Sequence, residues 1–113
     1  MKLTPAERKE KQAIELWQFV DVLRRADNAV EEEVVFWPPR KWRLDLVVNG
    51  KWAIEIEGLH GRHQHMGGFM KDMEKYNQVS LCGLRLLRVT RNQIANGDAL
   101  DLLHRAGVRV NGK

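Results

Sequence analysis

The sequence predicts an α/β domain, one β-sheet of mixed strand direction flanked by helices, in the order α-β-β-β-α-β-α with a short run left for a last strand. Three observations carry this expectation. A long N-terminal segment repeats its apolar residues at helical spacing. Two alternating runs flank Asn49-Gly50, a residue pair favoured in tight hairpins. A second helical run separates that hairpin from a further apolar strand, and such a crossover returns the chain parallel to the strand it left.

The elements follow in order. "TPAERKEKQAIELWQFVDVLRRAD" opens with Thr4 and Glu7 at capping-box spacing and Pro5 at the first helical position. Ile14, Leu16, Trp17, Val20 and Leu23 form its apolar stripe, with Glu15 beside it. "EEEVVFW" reads as a strand that Pro38-Pro39 ends. Residues 42–48 and 51–57 are the hairpin strands, and "GLHGRHQHMGG" is a loop rich in Gly and His. "FMKDMEKYNQVSLCG" predicts a helix over about 69–81 with Gly83 as its C-cap. Phe69, Met70, Met73 and Tyr76 are its expected core residues, while Asp72, Lys75 and Val79 share another stripe. "LRLLRVT" reads as a short buried strand flanked by Arg85 and Arg88. "GDALDLLHRAG" reads as a last helix and "VRV" as a candidate final strand.

At 113 residues, 43% of them hydrophobic, the chain is expected to form a single domain over 1–113 with a real core. Lys and Arg outnumber Asp and Glu by 19 to 15, a mild excess that permits a polyanionic partner without requiring one. Cys82 is the single cysteine. It excludes an internal disulfide, suits a reducing compartment, and is most simply a small buried residue at a helix end. No apolar run approaches the ~20 residues of a membrane span, and the N-terminus lacks the apolar stretch of a signal peptide. The expectation is a cytoplasmic protein with no membrane partner.

The hairpin carries the chemistry. A strict two-residue turn would pair residue 48 with 51 and set Asp45 on the apolar face of its neighbour. A shift by one residue pairs Asp45 with Glu55 and puts Leu44, Leu46, Val48, Trp52, Ile54 and Ile56 on one face. The pattern therefore predicts a three-residue loop or a bulge, and convergence of Asp45, Glu55 and Glu57 on the other face. Converging carboxylates repel unless protons or a cation neutralise them, and a hard divalent cation takes oxygen ligands. A solvated strand face with salt bridges to Arg43 or Lys51 is the alternative.

Asp45, the run Glu55-Ile56-Glu57-Gly58, the helix carrying "DMEKYN" and the strand "GLRLLRVT" together resemble the PD-(D/E)XK nuclease superfamily, with its restriction-endonuclease-like fold. Within it they are most similar to small phage and bacterial endonucleases of very-short-patch-repair and resolvase-like types. The likeness covers residues 10–95, roughly. It implies a Mg²⁺- or Mn²⁺-dependent DNA endonuclease of a bacterial or phage-infected cell, hydrolysing phosphodiester bonds, with a homodimer compatible with so small a domain. Asp45 matches the first acid of the motif and Glu55 the second. Glu57 and Ile56 would complete the metal shell, as would Glu15 in the place of a helix acid, with Glu31, Glu32 and Glu33 competing for that role. Two positions depart from the pattern: Glu57 stands where the motif has lysine, and Leu44 where it has proline. Some members draw the lysine from the next helix, which points to Lys75, with Lys71 one turn earlier.

The His-rich loop directly follows the strand bearing Glu55 and Glu57. Zinc is a poor fit for His60, His63 and His65, because there is one cysteine and no second ligand cluster. By position, His63 would shuttle a proton or hold a phosphate and Arg62 would contact the scissile strand, the alternative being a solvated loop. "FWPPRKWR" interleaves Arg40, Lys41 and Arg43 with rings, which suits nucleic acid, although Trp37 and Trp42 better suit core or rim packing. Lys71 and Arg88 are further candidate DNA contacts, Arg88 with an acid partner as the alternative. Two other functions stay open: a nucleic-acid-binding module of this fold without catalysis, and an interaction protein whose acidic face is merely solvated.

Overall fold

A computed structural model describes residues 2–58 and 66–111, with the backbone alone for 66–69 and Lys71. The chain divides into two compact units, one from residues 29–89 and one from residues 1–28 with 90–113.

The unit of residues 29–89 is the sheet. Strands β1 (Val30–Val35), β2 (Arg43–Val48) and β3 (Trp52–Glu57) are followed by the crossover helix Met66–Leu81 and by the strand Arg85–Thr90, and the strands lie side by side in sequence order. The crossover helix is α2 and the last strand β4; α1 (Pro5–Arg25) belongs to the other unit. β1 pairs antiparallel with β2, and β2 with β3. The Arg85 amide at the start of β4 donates to the carbonyl of Lys51, the residue just before β3 (2.9 Å), so these neighbours run in the same direction, as a crossover requires.

The hairpin register is the shifted one. Val48 pairs with Trp52 and Leu46 with Ile54, leaving Asn49, Gly50 and Lys51 as a three-residue loop. Asn49 and Gly50 both have positive φ (56° and 62°), and a Cβ on Gly50 would meet nothing within 4 Å. The glycine is there for its backbone angle and not for space. Asn49 also exchanges hydrogen bonds with Ala29, its amide to the Ala29 carbonyl (2.8 Å) and its Oδ1 from the Ala29 amide (2.9 Å), which ties the turn to the start of β1.

The core of this unit gathers Leu44, Val47, Ala53 and Val79, with Val34, Phe36, Tyr76, Leu84 and Leu86 against them. Leu44 and Val47, with two residues between them, belong to one cluster. The row across the sheet at Asp45 is irregular. Its partner position on β1 is Glu33, which adopts φ 51° and interrupts the ladder between the Glu32–Leu46 and Val34–Leu44 pairs. On α2 the stripe of Lys75, Tyr76 and Val79 turns inward, Val79 being fully buried. Met70 and Met73, expected in the core, are 59% and 52% exposed. Gly83 caps α2 as expected, with φ 83° and the Leu84 amide bonded back to the Val79 carbonyl. Cys82 is exposed, not buried, because that cap carries it past the last turn.

The other unit is helical. α1 (Pro5–Arg25) starts with the expected capping box, Thr4 and Glu7 bonding reciprocally at 2.9 and 3.1 Å. Its buried residues are Phe19, Val20 and Leu23, whereas Ile14 and Trp17 are 51% and 65% exposed. The apolar stripe thus serves only the second half of the helix. α3 (Arg91–Asn96) and α4 (Asp98–Arg105) meet at Gly97, whose φ of 92° ends one helix and begins the next. α3 was not expected from periodicity, but Thr90 and Gln93 form a second capping box that signals it. Residues 108–110 form no strand, so the element order is α-β-β-β-α-β-α-α among the described residues. Val108 is instead buried and its amide bonds to the Leu103 carbonyl. No helix among the described residues is long and apolar enough to cross a membrane.

Candidate active site

The register places Asp45 on β2 opposite Glu55 on β3, one step beyond the Leu46–Ile54 pair. Both are buried, at 9% and 7% exposure, among the few polar side chains that are. The Asp45 Oδ2 accepts the Ile56 amide of β3 at 2.7 Å. That bond orients the Asp45 carboxylate beside Glu55. The Lys75 ammonium, from the inward stripe of α2, forms an ion pair with Glu55 Oε1, and its side chain is only 16% exposed.

These contacts set the protonation of Glu55. Burial pushes its carboxyl up to about 7, a hydrogen bond with Asp45 pushes the same way, and Lys75 opposes both. Tyr76 lies next to this group, its phenol pushed up by burial and then by the Glu55 charge.

Glu57, two residues along the same face of β3, does not join the pair. Arg88 on β4 holds it, with Nε and Nη2 at 2.6 and 2.5 Å from Glu57 Oε1. Lys75 reaches Glu55 and not Glu57, whose carboxylate Arg88 holds. Tyr76 stands between the two ion pairs, its ring 5.7 Å from Lys75 Nζ and 5.1 Å from the Arg88 guanidinium carbon.

The remaining candidates fall in three places. Arg40 lies over the Trp42 ring at 3.9 Å and pairs with Glu74 of α2 at 3.5 Å, while Trp42 stacks on Phe36. Lys41 and Arg43 are exposed, as are Glu31, Glu32 and Glu33. Glu15 belongs to the helical unit, where it pairs with Lys11 at 3.8 Å. His60, Arg62, His63 and His65 lie outside the described residues, as does the side chain of Lys71.

Mg²⁺ takes one or two carboxylates and keeps several waters, so the adjacent carboxylates of Asp45 and Glu55 fit such an ion. Among the described residues no group of three or more His, Cys, Asp or Glu side chains is gathered as a metal cluster, which agrees with Glu57 being held by Arg88. Periodicity pointed to Asp45, Glu55 and their register. It missed Tyr76 as a neighbour of the charged groups, because an aromatic residue in a helix reads first as core.

No family model matches the chain, and no curated protein or solved structure matches it either.

Proposed function

We propose that the protein is a divalent-metal-dependent DNA endonuclease of the PD-(D/E)XK type, hydrolysing phosphodiester bonds. The observation that carries this reading is the Asp45–Glu55 pair with Lys75 on it: two buried carboxylates side by side on adjacent strands, and a half-buried ammonium delivered by the crossover helix. Asp45 and Glu55 would hold Mg²⁺ or Mn²⁺, which supplies Lewis-acid stabilisation of a phosphate and a more acidic water when bound.

The chain's own residues do the rest. The Ile56 amide fixes the direction of the Asp45 carboxylate. Lys75 opposes the effect of burial on Glu55 and so favours its anionic form near neutral pH. The same ammonium is placed to stabilise charge developing on a phosphate beside Glu55, the role of the lysine that the motif position at Glu57 lacks.

The test is cleavage of linear, nicked, flapped and four-way DNA in Mg²⁺, in Mn²⁺ and in EDTA. Cleavage dependent on the metal and abolished in Asp45→Asn, with the circular dichroism spectrum of the fold retained, is the expected result. Asp45→Asn cutting at the wild-type rate would remove the proposed site. The occupation of the motif's lysine position by Glu57 favours a second reading, a binding module of the same fold without catalysis. Metal-independent DNA binding with no cleavage of any of these substrates is its signature.

A further inference from the structure

We infer that Glu57 is not a metal ligand but a positioning residue, and that it presents Arg88 as a phosphate-binding group at the rim of the Asp45–Glu55 site. The inference rests on the nuclease reading for the identity of the phosphate as a DNA backbone.

The two ion pairs of the site differ in what they leave accessible. Lys75 and Glu55 have side chains 16% and 9% exposed, and Arg88 and Glu57 50% and 39%. A polyanion approaching from solvent meets the second pair first. Both Arg88 contacts fall on one oxygen of Glu57, through Nε and Nη2. A guanidinium has five N–H donors in a planar fork, so this arrangement leaves the Nη1 side for another acceptor, and phosphate matches the fork. The Tyr76 ring at 5.1 Å supports the guanidinium from one side. Arg88 is thereby restrained in direction before any substrate binds.

Glu57 has the opposite constraints. One of its oxygens is taken by two charge-assisted hydrogen bonds, and a cation brought to it would compete with a guanidinium already in place. Glu55 has no such exposed partner and shares its position with Asp45. Position 57, where the motif carries a positive charge, therefore still presents one, supplied from β4 by an acid that holds it.

Two readouts without catalysis separate these roles. The first is the Mg²⁺ or Mn²⁺ concentration at half-maximal thermal stabilisation, without DNA. Glu57→Gln is expected to stay within about twofold of wild type, whereas Glu55→Gln raises the midpoint at least about tenfold. An equal rise in Glu57→Gln would make it a ligand and overturn the inference. The second is DNA binding against salt in EDTA. Arg88→Met is expected to lower the slope of log affinity against log salt by about one, the loss of one phosphate contact. Arg88→Lys should restore the slope, and Glu57→Gln should weaken binding while keeping it. An unchanged slope in a folded Arg88→Met, judged by its melting transition, would refute the phosphate contact. In cleavage, Arg88→Met should act mainly on KM and Lys75→Met on kcat. Failure of wild type to cleave would defeat the nuclease reading alone, since the metal and salt readouts decide the inference without it.

Discussion

Glu55 stands between burial and Asp45 on one side and Lys75 on the other, and its carboxyl is pushed up from 4.5 to about 7. The folded protein therefore binds this proton more tightly than the unfolded chain does. The contribution of Glu55 to stability is present below about pH 4.5 and is lost as pH rises through about 7. In EDTA, the melting temperature of wild type minus that of Glu55→Gln is expected to fall between pH 4.5 and pH 7.5. A difference that stays constant or grows would contradict the burial of an unbalanced carboxylate. Lys75→Met keeps the aliphatic stem and removes the half-buried cation paired with Glu55. Its cleavage rate is expected to drop on the order of 10²-fold or more, with DNA affinity little changed. Lys71→Met, one turn earlier, is the control, and an equal loss there would move the role along the helix.

At the scale of elements, the site exists because regular structure is interrupted in one row. Glu33 adopts a positive φ opposite Asp45, and Asp45 spends its side chain on the Ile56 amide. A non-glycine residue in that conformation is strained by about 1–2 kcal/mol. Glu33→Gly should consequently be neutral or stabilising in urea denaturation. Glu31→Gly, in the regular Glu31–Val47 pair of the same strand, should cost about 0.5–1 kcal/mol. Equal destabilisation by both would show that the Glu33 conformation carries no strain. The hairpin turn is governed by the same physics, since Asn49 and Gly50 take the positive φ that lets Lys51 drop out of the pairing. That extra residue sets Asp45 opposite Glu55 and not Ile54.

Over the whole molecule, the two compact units have different relations to the chain. The sheet unit is continuous in sequence, whereas the helical unit is assembled from both ends. Asn28 fastens those ends together within that unit. Its Nδ2 donates to the Leu23 carbonyl at 2.8 Å and to the Arg109 carbonyl at 2.7 Å, and the residue is buried. Asn28→Ala leaves both acceptors without this donor and is expected to cost about 1–3 kcal/mol in denaturant unfolding. A change below a few tenths of a kcal/mol would mean that water replaces the amide at no cost.

Much of this protein was legible in its sequence because the relevant physics is local. Thr4, Pro5 and Glu7 start α1 through contacts three residues apart, and Asn49-Gly50 turns the chain by its own backbone preference. The period-two pattern of Leu46, Val48, Trp52 and Ile54 selects one register among two, and with it the meeting of Asp45 and Glu55. Where local pattern and packing disagree, the sequence misleads. Ile14 and Trp17 continue a helical stripe that the core does not reach, and Met70 and Met73 are apolar on a face that stays exposed. The partners of the charges are likewise decided only in three dimensions. Lys75 goes to Glu55 and Arg88 to Glu57, positions 20 and 31 apart in the sequence. An ion pair depends on the distance between side chains brought together by the crossover, and no spacing along the chain encodes that distance.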